Sequence, residues 1–230
     1  RITLLAGYQA ELDAIEQQKP TQHPIFLRLR PVIRRHALPL RLFRDLLDAF
    51  MQDITKDRYA SFDELMNYCR RSADPVGRLM LHMFDAATGH NLRRSDSICS
   101  ALQLINHWQD VSIDLTKGER GRIYLPQDEM TRFGVSDESL RQKSASAAND
   151  GFRALLRFQI DRARSLMLEG APLGWDLPGR MGLEIRAVVA GGLRILDKIE
   201  AADYDVFNQR PQLRALDWPP ILWRTLVRPL

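Results

Sequence analysis

Residues 97–115 limit the fold more strongly than any other segment, because apolar residues surround nearly the whole of the helix they would form. A helix that is apolar on nearly all sides is normally buried in a larger helical structure. Within the segment, Asn106, Asp110 and Asp114 recur every four residues, a spacing that places side chains on one face. Buried carboxylates need a cation or hydrogen-bond partners. We therefore expect a buried helix whose polar stripe lines one wall of a cavity.

The three polar side chains of this stripe are oxygen ligands that span about 12 Å along the helix. Two carboxylates and an amide suit Mg²⁺, a hard ion that often bridges carboxylates to a substrate phosphate. The following loop, residues 116–126, is basic and contains glycines, and it includes Lys117 and Arg122. An acidic helix end beside a basic loop predicts a site for Mg²⁺ and diphosphate. The alternative is that Asp110 and Asp114 are solvated residues of an amphipathic helix, since their spacing is common by chance.

Composition and charge exclude several other classes of protein. The 230 residues suffice for one buried core, so we expect a single domain over residues 1–230. No run of 18 apolar residues is present, and no transmembrane helix is therefore expected. The net charge of +4 is too small and too dispersed to indicate nucleic-acid binding. An acidic phosphorylated substrate or an anionic membrane surface fits this charge as well.

Two features favour a cytoplasmic location. Cys69 and Cys99 lie in apolar helical patterns without C-x-x-C spacing, which predicts reduced core residues. The chain opens with an amphipathic pattern rather than with the basic and apolar segments of a signal peptide.

Apolar residues recur at helical spacing along the rest of the chain, and no segment alternates with a period of two, which predicts an all-α fold. Proline is expected to break the second helix at Pro31 and to kink or interrupt the fourth at Pro75. The glycine that follows, Gly77, indicates close approach by a ligand or by a neighbouring helix, and residue type alone favours the neighbouring helix. The expected helices cover residues 1–18, 24–36, 43–54, 62–87, 97–115, 136–168 and 178–202.

The C-terminal tail, residues 213–230, mixes tryptophan and leucine with arginine. This pattern suits a membrane interface, where a lipid-soluble product leaves the protein, and predicts a peripheral position on the inner face of a membrane. A helix that covers the core is the preferred interpretation of the two.

Three ordered motifs resemble the squalene/phytoene synthase family, the head-to-head prenyl synthases. Residues 103–114 read Q-L-I-N-x-x-x-D-x-x-x-D and, with G-R-I-Y-L-P at residues 121–126, resemble the second aspartate-rich motif of that family. Residues 53–59 and 68–77 resemble its D-x-x-x-x-R-Y and Y-C-x-x-x-A-x-x-V-G segments. The resemblance covers approximately residues 40–210. Within the family, N-H-W-Q-D and G-G-L-R-I-L most resemble the bacterial hydroxysqualene synthases of hopanoid biosynthesis.

This resemblance implies an isoprenoid-synthase (terpenoid synthase) helical fold around a central ligand cavity. It implies Mg²⁺-dependent loss of diphosphate from a prenyl diphosphate, with more than one ion held by Asp110, Asp114 and Asn106, and a catalytic role for Tyr68. The residues expected to contact the substrate are Gln103, Lys117, Arg122, Arg210, Asp53, Arg58, Val76, Gly77, Gln109 and Gly192.

Two departures from the family pattern refine the expected reaction. Gln109 replaces an arginine that most members carry, and Gly192 aligns where relatives often have tyrosine. Glutamine at position 109 gives fewer phosphate contacts and glycine at position 192 a larger cavity, and both agree with a single substrate, presqualene diphosphate. Water would react with the carbocation formed from it and give hydroxysqualene. The alternatives are synthesis of squalene, presqualene diphosphate or phytoene from two prenyl diphosphates such as farnesyl diphosphate, and a non-catalytic helical scaffold.

The resemblance also implies a first aspartate-rich motif on an upstream helix. Residues 1–21 contain neither D-D-x-x-D nor D-x-x-x-D. We therefore expect the printed sequence to lack an N-terminal segment that carries half of the metal site.

Overall fold

The computed structural model describes residues 1–142, 150–208 and 210–227. Within these ranges the regular structure is helical and no strand is present, which confirms the all-α prediction. The helices are α1 (Ile2–Glu16), α2 (Pro24–Arg35), α3 (Leu40–Thr55), α4 (Phe62–Ser72), α5 (Asp74–Met83), α6 (Gly89–Gln109), α7 (Val111–Asp114), α8 (Gln127–Arg132), α9 (Asp137–Arg141), α10 (Asp150–Gly170), α11 (Leu173–Asp176), α12 (Gly179–Ala201), a 3₁₀ helix (Ala215–Asp217) and α13 (Trp218–Val227).

Helix α6 is the centre of the fold, because α4, α5, α10 and α12 all pack against it. Its residues Leu104 and Trp108 are fully buried in the main apolar core. A second apolar cluster, around Leu12 and Phe26, lies beneath α1 and α2. The polar stripe of α6 is therefore carried on an element that neighbouring helices hold on several sides.

The sequence pattern predicted one continuous helix over residues 97–115, but the polar stripe is divided between two helices, α6 and α7. Helix α6 ends at Gln109, and Asp110 lies between α6 and α7 with φ −106° and ψ 14°. The Asp110 N–H still bonds the Asn106 carbonyl at 3.0 Å, but its carboxylate is held from outside by Arg210 at 2.5 Å. This contact with Arg210 accompanies the interruption of the helix at Asp110, which helical spacing does not predict.

Of the two prolines expected to disturb helices, only one does so. Helices α4 and α5 are separate elements that meet at Ala73, as Pro75 predicts. Helix α2, however, continues through Pro31, so the predicted break there is wrong. Pro31 and Leu27, whose carbonyl loses its helical partner, are both exposed, so water can solvate that carbonyl.

The helix expected over residues 136–168 is described as two helices, α9 and α10. Residues 143–149 of that prediction, like residues 228–230 of the tail, lie outside the described residues. Both cysteines are free thiols, as predicted, but only Cys69 is buried, whereas Cys99 is partly exposed.

Candidate active site

Asp110 and Asp114 lie at the junction of α6 and α7, and each carboxylate faces one basic side chain. Arg210 donates to Asp110 at 2.5 Å, and Lys117 pairs with Asp114 at 2.7 Å. The Asp114 side chain is only 4% exposed, whereas that of Lys117 is 51% exposed. Burial raises the pKa of Asp114, and the Lys117 ammonium partly offsets this. Two largely buried negative charges are thus compensated by cations that solvent can reach.

An apolar cavity of about 640 Å³ lies between α6 and α12, on the side of Asp110. Asn106, Gln109 and Arg210 supply its polar groups, and Gln109 also donates to the Pro211 carbonyl. Gly192 lines the opposite wall, where an added Cβ would meet Met167 at 2.7 Å and Leu102 at 3.3 Å. Any larger residue at position 192 would therefore press into this wall. The remaining lining residues are Leu102, Ile105, Ala187, Val188, Gly191, Ile195, Gln212, Leu213 and Trp218.

A polar cavity of about 400 Å³ lies on the side of Asp114. Asp53, Lys117, Arg120 and Arg122 are among its lining residues. The aspartate pair lies between lining residues of the two cavities, because Arg210 of the apolar cavity bonds Asp110 and Lys117 of the polar cavity bonds Asp114. One cavity is thus suited to an apolar group and the other to an anionic group.

Tyr68 belongs to a hydrogen-bonded network beside the polar cavity. Its hydroxyl donates to the two Asp53 oxygens at 3.0 and 3.2 Å, and Arg122 stands 3.6 Å from the same carboxylate. Arg122 also donates to the Tyr124 hydroxyl at 3.0 Å. Burial raises the pKa of both Tyr68 and Asp53. Tyr68 therefore remains a neutral phenol with a fixed orientation.

His107 is a site residue that the sequence analysis missed. Its ring stacks on that of Tyr124 with centroids 3.5 Å apart, and its Nε2 lies 3.3 Å from Nε2 of Gln103. Burial lowers the pKa of His107 to about 3, so the ring is neutral. The four-residue spacing between Gln103 and His107 could have indicated the contact between their side chains. The contact with Tyr124 depends on how the loop that carries Tyr124 folds back onto α6, which sequence spacing does not show.

Arg58 and Arg122 were expected to contact substrate, but most of their N–H donors already bond other groups of the protein. Arg58 donates to Asp137 at 2.8 Å and to the Gly121 carbonyl at 2.6 Å, which holds the basic loop in place. Arg122 donates to the Asp53 carbonyl at 2.5 Å in addition to its contact with Tyr124. Their substrate contacts stay predictions, and their observed role is to position the loop that carries Lys117.

Val76 and Gly77 lie in the first turns of α5 and differ in their surroundings. Val76 is about half-exposed. A Cβ on Gly77 would overlap Ser95 and would lie 2.6 Å from the Cys99 sulfur. Gly77 thus allows α5 to approach α6 closely, which is the helix-packing explanation that its residue type favoured.

Mg²⁺ prefers hard oxygen donors, of which the candidate site contains a small set. No cluster of three or more His, Cys, Asp or Glu side chains with metal-binding geometry occurs among the described residues. Asp110 and Asp114 nevertheless each already hold a cationic group, and Asn106 adds an amide one turn away. Hard oxygen donors that attract positive charge fit Mg²⁺ with two protein carboxylates as ligands.

In the same described part of the chain, no helix has both the length and the apolar character needed to cross a membrane.

Comparisons of the sequence and of the fold with known proteins give concordant matches. Residues 1–217 match the squalene/phytoene synthase family. The chain is 33% identical to hydroxysqualene synthase of Rhodopseudomonas palustris, covering 90% of this chain and 70% of the relative, and 33% identical to phytoene synthase of Mycobacterium tuberculosis, covering 94% and 70%. The crystal structure of squalene synthase HpnC from Alicyclobacillus acidocaldarius superposes with a TM-score of 0.82 at 34% identity, over 88% of this chain and 74% of that one. A dehydrosqualene synthase shares the fold with a TM-score of 0.80 at 22% identity, over 96% and 76%.

Proposed function

The chain belongs to the squalene/phytoene synthase family, whose members act on prenyl diphosphates, and from this premise we propose that it is a hydroxysqualene synthase. The reaction converts presqualene diphosphate and water to hydroxysqualene and diphosphate. Sequence identity does not distinguish between the possible products, because the hydroxysqualene synthase and the mycobacterial phytoene synthase are both 33% identical to this chain. The proposal rests instead on the apolar cavity beside Asp110, in which Gln109 and Gly192 both lie.

In this proposal the prenyl chain occupies the apolar cavity and the diphosphate lies toward the aspartates. Lys117 and Arg210 turn from the carboxylates to phosphate oxygens, where charge-assisted hydrogen bonds are strongest. Asp110, Asp114 and Asn106 would hold more than one Mg²⁺ ion, and bound Mg²⁺ supplies Lewis-acid stabilisation of the leaving diphosphate. Gln109 supplies no positive charge, so this wall is suited to one diphosphate rather than two.

The second half of the reaction requires a cation, a water molecule and a base. The C–O bond to diphosphate breaks with its electron pair on the leaving group, and the apolar lining keeps bulk water away from the resulting carbocation. One water enters the apolar cavity, and its oxygen forms the new C–O bond. Its proton is accepted by Asp53, which lines the polar cavity and is held in place by the Tyr68 hydroxyl. The raised pKa of Asp53 favours this transfer.

The decisive experiment supplies presqualene diphosphate or farnesyl diphosphate separately to the protein, with Mg²⁺ in ¹⁸O-water and no nicotinamide cofactor. We expect rapid consumption of presqualene diphosphate and a C30 alcohol that carries ¹⁸O, detected by mass spectrometry. Efficient conversion of farnesyl diphosphate alone, or an unlabelled hydrocarbon formed only with a reductant, would contradict the proposal. Either result would instead favour a synthase of squalene, presqualene diphosphate or phytoene.

A non-catalytic scaffold is the second alternative. The aspartate pair and its basic partners argue against it, since a scaffold needs no buried carboxylates beside a cavity. Mg²⁺-dependent release of diphosphate separates the two, because a scaffold releases none.

We also propose that α13 attaches the enzyme peripherally to a membrane. Trp218 lines the apolar cavity and is also half-exposed, so a lipid-soluble product that leaves the cavity meets this surface. Tryptophan and leucine on one helix face favour the membrane interface. We expect Trp223→Ser to reduce sedimentation with anionic phospholipid vesicles, whereas Leu4→Ser on α1 does not; equal sedimentation of both variants would contradict the attachment. The large apolar side chains exposed on α13 and on the preceding 3₁₀ helix are Leu216, Trp218, Leu222, Trp223, Leu226 and Val227.

A further inference from the structure

A third cavity, of about 500 Å³, lies apart from the candidate active site. Its walls come from the start of α3, the second half of α4, the start of α5 and the middle of α6, and Leu166 of α10 closes one side. It shares no lining residue with either cavity beside the aspartate pair. Four arginines line it, and we call it the arginine cavity: Arg41, Arg70, Arg71 and Arg78.

Two of these arginines are anchored and two are not. Arg78 donates to both oxygens of Asp96, at 2.8 and 2.6 Å, and Arg71 donates to two amide oxygens at 2.5 and 3.1 Å. The Arg70 side chain has no hydrogen bond or ion pair with any described residue. Arg41 has one weak ion pair of 3.9 Å along its own helix, and its side chain is 72% exposed. Arg41 and Arg70 therefore have guanidinium donors available to a ligand.

Asp74 also lines the arginine cavity and is only 4% exposed. Its Oδ1 accepts a hydrogen bond from the Ser100 hydroxyl at 2.8 Å. Burial raises the pKa of Asp74 to about 7, which the Ser100 hydrogen bond partly opposes. Close to neutral pH, the carboxyl is therefore present in both the neutral and the ionised form.

We propose that the arginine cavity binds a phosphate-class oxyanion, with Arg41 and Arg70 closing on the anion and Asp74 taking up a proton as it binds. Planar guanidinium groups match the oxygens of a tetrahedral anion with paired donors. The anchored Arg71 and Arg78 supply positive charge in a fixed position. The cavity volume lies within the usual range for small-ligand sites.

The charges that surround Asp74 support the coupling to a proton. Four arginines face three carboxylates in this cavity, a net charge of +1 that becomes +2 when Asp74 is protonated. Burial raises the pKa of the nearby thiols of Cys69 and Cys99 to about 12 and about 11, so both stay neutral. The charged groups are Arg41 and Asp45 from α3, Arg70 and Arg71 from α4, Asp74 and Arg78 from α5, and Asp96 from α6.

Sulfate is the sharpest probe, because its charge stays constant between pH 6 and pH 8, unlike that of phosphate. Calorimetric titration should show sulfate binding about tenfold weaker at pH 8 than at pH 6, as expected when one group with a pKa near 7 must be protonated. Asp74→Asn should remove this pH dependence. Arg70→Gln should weaken binding at pH 6 at least about tenfold, since a charge-assisted contact is lost. The matched control is Arg34→Gln, which removes an exposed arginine of α2 and should bind sulfate as the wild type does.

Diphosphate, the by-product of the proposed reaction, provides a second arm that separates this cavity from the active site. We expect Arg70→Gln to weaken diphosphate binding as it weakens sulfate binding. Absence of sulfate binding at both pH values, or equal binding by Arg70→Gln and Arg34→Gln, would overturn the proposal. Diphosphate binding in which Arg70→Gln weakens no site would also overturn it, since the anion would then bind only elsewhere, as beside Lys117.

Discussion

Each aspartate of the candidate site is more deeply buried than the basic side chain it pairs with, so the basic partner can leave while the carboxylate stays in place. Asp110→Asn or Asp114→Asn keeps the side-chain volume and removes the charge. We expect either change to lower turnover by at least about a hundredfold, because a preorganised electrostatic contact is lost. The measurement is the rate of diphosphate release from the prenyl diphosphate substrate at saturating Mg²⁺.

The control for these variants is Asp161→Asn, which removes an exposed aspartate from α10 and should leave the rate unchanged. Rates close to wild type in the Asp110 and Asp114 variants would contradict the metal-site interpretation. Unchanged unfolding temperatures are needed to separate a loss of chemistry from a loss of fold.

Sequence spacing could predict which residues share the polar stripe, but not what each of them contacts. Asn106, Asp110 and Asp114 are close in sequence, so helical geometry alone relates them. The contacts of Arg122 with Asp53 and Tyr124 depend on how a loop returns to α3. Local patterns carry no information on how the loop folds back, so the contacts of Arg122 with Asp53 and Tyr124 could not be predicted from them.

Among the helices, the crossing of α6 and α10 depends on a glycine. A Cβ on Gly170 would lie 2.6 Å from the Arg94 carbonyl and 3.0 Å from the Ile98 nitrogen, both of them backbone atoms. Gly170→Ala should therefore lower the free energy of unfolding by roughly 1–3 kcal/mol, since the helices must separate. Gly7→Ala on α1 meets no atom within 4 Å and should instead raise stability by up to about 1 kcal/mol, through helix propensity. Urea unfolding of both variants checks the opposite signs, and equal changes would contradict the packing argument.

Helix periodicity predicted α1, α3 and α12 closely, because each has a continuous apolar face and clear ends. It failed where a neighbouring element decides the outcome. The bend at Asp110 accompanies a contact with Arg210, a residue one hundred positions away. The survival of α2 through Pro31 depends on solvent exposure, which spacing alone does not determine.

For the whole molecule, the pH dependence of stability should carry the signature of Asp74. Burial raises the folded-state pKa from 3.8 to about 7, so the folded protein binds more protons than the unfolded chain between these values. The free energy of unfolding contributed by this group therefore falls as pH rises through that window, and the full cost is present above it.

Asp74→Asn removes this cost while retaining an acceptor for the Ser100 hydroxyl. The stability of the variant relative to wild type should therefore increase by on the order of 2 kcal/mol between pH 5 and pH 8, since one pKa unit corresponds to about 1.4 kcal/mol. Chemical unfolding of both proteins at the two pH values measures the difference. An oxyanion bound in the arginine cavity favours neutral Asp74, a state that Asp74→Asn mimics at every pH, so added sulfate should bind the variant more tightly at pH 8 and increase its advantage there. A pH-independent difference between the proteins would mean that Asp74 stays ionised in the folded state, and that its burial is compensated by the surrounding arginines.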